Sequence, residues 1–97
     1  MDIKAYLEKL DEMQRTCFLR DFGLFAIFPN EKIIKTTYDS NTGFAFYAMD
    51  SSIGFDFTGN LFITTHHISP MVSLRKIAEF LSGRNIVWAI EETQASS

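Results

Sequence analysis

The chain has 97 residues, 46% hydrophobic and 14% aromatic, with a formal net charge of −3. This length predicts one domain over 1–92 with a flexible tail at 93–97, able to bury a core without metals or disulfides. The acidic balance disfavours nucleic acid and anionic membranes as partners, and no apolar run approaches the roughly 20 residues of a membrane span.

Asp2 is placed to cap a helix running to about Arg20. Ile3, Tyr6, Leu7, Leu10, Met13 and Cys17 follow helical spacing, with Glu8, Asp11, Glu12 and Arg15 on the solvated face. Gly23 suits the helix stop. Leu24 to Phe28 is short and wholly apolar, which predicts a buried strand. Pro29-Asn30 turns the chain into a strand from Lys32 to Tyr38. Its Ile34, Thr36 and Tyr38 can share a face with Phe44 and Phe46 across a loop of Asp39 to Gly43.

From Gly43 to Ile68, three apolar runs are separated by Ser51-Ser52 and Thr58-Gly59-Asn60. Large apolar residues recur at every second position, the period of a strand with one buried face. The Thr-Gly-Asn link pairs Phe57 with Leu61 and Phe55 with Ile63. A two-residue turn at Ser51-Ser52 sets Ala48 opposite Phe55 and Phe46 opposite Phe57. Phe44, Phe46, Phe55, Phe57, Leu61 and Ile63 then share the core face.

Ser69-Pro70 reads as the cap and first position of a second helix. Met71, Leu74, Ile77, Ala78 and Leu81 form its apolar stripe, Gly83 ends it, and Arg84 sits near the negative end of its dipole. Asn85 to Glu91 alternates as a last strand. The fold expected is α+β: a mostly antiparallel sheet of 5–6 strands, two helices on one face, order α-β-β-β-β-β-α-β. This order resembles that of the small acidic chaperones of type III secretion, in layout alone.

Gly43-Phe44-Ala45-Phe46 resembles the core of the RNP1 motif of RNA-recognition domains, whose strand aromatics stack on bases. Thr42, however, stands where that motif has a basic residue, and Met49 where it has an aromatic. No Lys or Arg occurs between Lys35 and Arg75, whereas Asp39, Asp50 and Asp56 do. A sheet that reads RNA needs cations near the phosphates, so Phe44 and Phe46 are read as core.

His66 and His67 are adjacent on a strand and point to opposite faces, so they do not form one metal site. Cys17 is read as a small core residue; as the sole cysteine it fits a reducing, cytoplasmic setting. No nucleophile, base and oxyanion donor can be named together, so neither an enzyme nor a cofactor is expected.

The second sheet face holds Ala45, Tyr47, Met49, Asp56, Phe62, Thr64 and His66. Tyr47, Met49 and Phe62 form a candidate binding patch there, with Asp39, Asp50 and Asp56 supplying negative charge at the loops and rim. The function expected is non-catalytic protein binding, of the physical type of small acidic inhibitors, immunity and anti-defence proteins, or chaperones. The partner would carry a basic surface. The alternative is a homodimer pairing through its sheet face or edge.

Overall fold

The computed structural model describes residues 1–28, 33–49, 52–59, 61–65 and 74–88, with backbone alone for 61–65 and 74. Asp50, His66 and His67 lie outside the described residues, as do the expected start of the second helix at Ser69-Pro70 and the tail.

Asp2 caps the first helix as its position predicts. Its carboxylate accepts the N–H groups of Lys4 at 2.7 Å and Ala5 at 3.3 Å, opening α1 (Ile3–Glu8). The helix does not run on to Arg20. It stops at Lys9, and Asp11 starts α2 (Glu12–Phe22) with a reciprocal capping box. The Gln14 N–H donates to the Asp11 carboxylate at 2.8 Å, and the Asp11 N–H donates to the Gln14 side chain at 3.0 Å. Both orphan donors at the helix start are thereby satisfied. The break resets the helical phase. Phe18, Leu19 and Phe22 are therefore the inward positions, while Met13, 77% exposed, and Cys17 face solvent rather than the core.

Arg15 ties the two helices to the sheet. Its Nε donates to the Leu7 carbonyl at 3.1 Å and an Nη to the Leu10 carbonyl at 2.8 Å, satisfying the last carbonyls of α1. The same guanidinium lies 4.3 Å from the Tyr38 ring centroid. Arg15→Ala is expected to cost about 2 kcal/mol, the range for hydrogen bonds to a charged group. An unchanged urea midpoint would mean that water replaces both bonds at no loss.

Leu24 to Phe28 is not a strand. Gly23–Ile27 forms a π-helical turn that prolongs α2, closed by the Phe28 N–H on the Gly23 carbonyl at 2.7 Å. Gly23 is helical, with φ −61°, and does not stop the helix. A Cβ there would lie 2.8 Å from a ring carbon of Phe46, so glycine is what lets the helix lie against the sheet.

The sheet has four antiparallel strands in chain order: β1 (Lys35–Asp39), β2 (Gly43–Tyr47), β3 (Ser52–Asp56) and β4 (Leu61–Thr65). Tyr38 pairs with Phe44 and Thr36 with Phe46, as the alternation predicts. Between β2 and β3 the register differs by two residues from the one expected, with Phe44 opposite Phe55 and Phe46 opposite Ile53. A shift of two preserves sidedness, so Phe44, Phe46 and Phe55 still share the buried face. Between β3 and β4 a bulge intervenes. Leu61 pairs with Phe55 but Ile63 with Gly54, and Phe62 is the extra residue. Phe57 falls in the turn and packs half-buried on the core.

The second helix appears as α3 (Leu74–Ser82). Ile77 and Leu81 are buried as predicted; Phe80 joins them, and Ala78 is exposed. Arg84 donates to the Phe80 carbonyl at 2.9 Å and stacks 3.8 Å over its ring. Asn85, at φ 56°, takes the left-handed position after the helix, a role that the sequence suggested for Gly83. Of the last strand, the described residues hold one parallel bridge, Asp2 to Val87, with Ile86 and Trp88 buried; Ala89 to Glu91 lie outside them. The Ile3 N–H donates to the Val87 carbonyl at 2.9 Å, and the Val87 N–H to that of Met1 at 2.8 Å.

The class is thus α+β with an antiparallel sheet, but the described residues carry four strands rather than five or six. Phe22 joins the layers. Its ring meets Phe46 on β2 edge-on at 5.7 Å and stacks on Phe80 of α3 at 5.1 Å. No helix among the described residues is long and apolar enough to cross a membrane.

Candidate interaction surface

Strand alternation sets Lys35, Thr37 and Asp39 of β1 and Gly43, Ala45 and Tyr47 of β2 on the face away from Phe22. These positions are register neighbours: Lys35 with Tyr47, Thr37 with Ala45, Asp39 with Gly43. Because Gly43 and Ala45 are small, the surface sinks between the larger side chains. The result is a depression of about 340 Å³ bordered by Thr37, Asp39, Thr42, Gly43, Ala45 and Tyr47. The middle of the same face is closed: Ala45 and Ser52 are 3% and 5% exposed, and Gly54 is buried.

Of the apolar patch expected there, Tyr47 is half-buried, and Met49, just past the end of β2, is 82% exposed. The Lys35 ammonium lies 5.2 Å from the Tyr47 ring centroid, so the aromatic wall of the depression already holds a cation. Phe62 sits at the bulge of β4 with only its backbone described, so the structure does not bring its side chain together with Tyr47.

Asp39 and Asp56 flank Gly43 in one row across the end of the sheet. Each is held by its own turn. The Asn41 N–H donates to the Asp39 carboxylate at 2.8 Å. The Thr58 N–H and hydroxyl donate to one oxygen of Asp56 at 3.0 and 2.7 Å. These Asx-turns fix the two carboxylates at strand ends about 10 Å apart, two strand spacings.

Tyr38 borders the depression from β1 with its hydroxyl buried and without a hydrogen-bond partner among the described residues. Burial pushes this phenol above its ordinary pKa, and Glu8 and Asp39 add to the rise while Arg15 opposes it. Among the described residues, no three His, Cys, Asp or Glu gather to hold a metal ion.

Sequence reasoning named Tyr47, Met49 and the aspartates but missed the depression. Its signal was present: Gly43, Ala45 and Gly54 are small residues at every second strand position, which leaves a hollow on that face. Comparison with protein-family models, curated proteins and solved structures finds no match.

Proposed function

We propose that this chain is a non-catalytic protein-binding module that docks a basic segment of a partner protein on the outer face of β1 and β2. The observation that carries this reading is the exposed Met49 beside the Tyr47-walled depression, at a sheet end carrying Asp39 and Asp56. An apolar anchor, an aromatic wall and fixed negative charge suit a Lys- or Arg-containing segment. Small acidic inhibitors, immunity proteins and chaperones are of this physical type. The exposed free thiol of Cys17 fits action in a reducing cytoplasm.

The test compares partner capture by wild type and by the double variant Tyr47→Ser, Met49→Ser. The variant should unfold within about 1 kcal/mol of wild type, because exposed groups contribute little to stability. Its affinity for the captured partner should fall at least about 30-fold, as for an anchor worth about 2 kcal/mol. Met13→Ser, on the opposite side of the molecule, should bind as wild type does. A folded double variant that binds at full strength would place the interface elsewhere.

A further inference from the structure

The unpaired edge of β1 carries a second surface. Among the described residues β1 ends the sheet order, so one side of its backbone has no strand beside it. Such an edge is a template for another strand. The sequence of β1 is Lys35-Thr36-Thr37-Tyr38-Asp39. We infer that this edge pairs with the same edge of a second copy, antiparallel about a two-fold axis at Thr37, giving one continuous sheet across two chains.

The argument is self-complementarity, which a two-fold interface demands. Centring the axis on Thr37 sets Lys35 opposite the second copy's Asp39 and Asp39 opposite its Lys35. Thr37 then faces its own equivalent. Opposite charges and paired threonines directly across two strands are both favourable cross-strand pairs. Shifting the axis by one residue breaks both charge pairs. Lys35 reaches the neighbouring strand by turning its flexible stem from the Tyr47 ring, across a gap of about 4.8 Å.

A second observation points the same way. Thr16 and Arg20 of α2 border a groove of about 220 Å³ with Ile33, Ile34, Lys35 and Thr36, beside this edge. Met13 shares the helix face of Thr16 and Arg20 by its spacing. Met13 and Ile34, 77% and 61% exposed, are thus the large apolar groups along the edge that a second copy would cover. Asp56 and Met49 stay outside the strand pairing and remain open to the basic partner proposed above.

The test is the mass of the full chain in solution, by sedimentation from about 1 µM to 1 mM, the range of weak self-association. The wild type should form a dimer. Lys35→Glu sets like charges opposite at both ends and should weaken the dimer at least about tenfold. Asp39→Lys should do the same. An equimolar mixture of the two restores opposite charges at both positions and should form a mixed dimer.

Asp39 also holds a turn, so circular dichroism checks that its variant folds. If it does not, Thr37→Arg, which sets two cations face to face at the axis, takes its place and should also give a monomer. A wild type that stays monomeric throughout overturns the inference. So does a dimer unaffected by Lys35→Glu or by Thr37→Arg, or a mixture of two folded variants that stays monomeric.

Discussion

Phe22→Ala should destabilise the chain by about 3–5 kcal/mol, a large part of the total stability of a domain this size. Phe22 is fully buried and is the residue through which helix and sheet meet. Its ring lies 6.2 Å from Phe44, 5.7 Å from Phe46, 5.1 Å from Phe80 and 6.0 Å from Trp88. Truncation leaves a cavity bounded by four rings from three segments, which cannot all move in to fill it. The melting temperature should fall by roughly 15–30 °C, at about 4–8 °C per kcal/mol for this chain length. Phe25→Ala is the control. Phe25 is partly exposed and meets Phe80 alone among the ring pairs of the described residues, at 5.9 Å, so its loss should cost far less. Equal losses for the two variants would mean that the layers are held together elsewhere.

Gly43→Ala is the second large effect. A Cβ at Gly43 would lie 1.9 Å from the Phe55 carbonyl oxygen and 2.7 Å from the Asp56 Cα, with φ at +157°. Backbone atoms cannot swing aside as a side-chain tip can, so β2 and β3 would have to part at this row. The expected loss is about 3 kcal/mol or more, the sum of a strained backbone and broken ladder bonds. Amide exchange should quicken first along β2 and β3. Gly83→Ala meets no atom within 4 Å and should be neutral or slightly stabilising. If Gly43→Ala melts with the wild type, the close approach of these strands is not a feature of the folded protein.

The buried face was legible because sidedness survives an error of two residues. The expected pairing of Phe46 with Phe57 is wrong, yet Phe44, Phe46 and Phe55 are core either way. The bulge at Phe62 was not legible, since an extra residue in β4 changes no alternation within either flanking strand. It moves Thr64, rather than Ile63, opposite Ile53. The break between α1 and α2 could have been read. Asp11 followed by Gln14 is a helix-start signature, and it was absorbed into a longer stripe that Met13 and Cys17 appeared to continue. Leu24 to Phe28 could not have been read, because an apolar run of five has no period to measure. At the candidate surface, Tyr47 and Met49 followed from alternation. The anchoring of Asp39 and Asp56 by their turns depends on loop geometry that composition does not encode.

The π-helical turn at Gly23–Ile27 makes the length of this segment a matter of angle. An α-helix advances by about 100° per residue, and the π turn carries one residue more than the α pattern allows. Removing any one residue there would let the turn relax to α geometry. The chain would then be rotated by roughly 100° beyond that point rather than merely shortened. Ala26, Ile27 and Phe28 would leave the core together, and β1 would be aimed away from β2. Substitutions in this segment alter packing one side chain at a time, whereas a single deletion changes the bearing of everything that follows. The chain can vary there in letters but not in count.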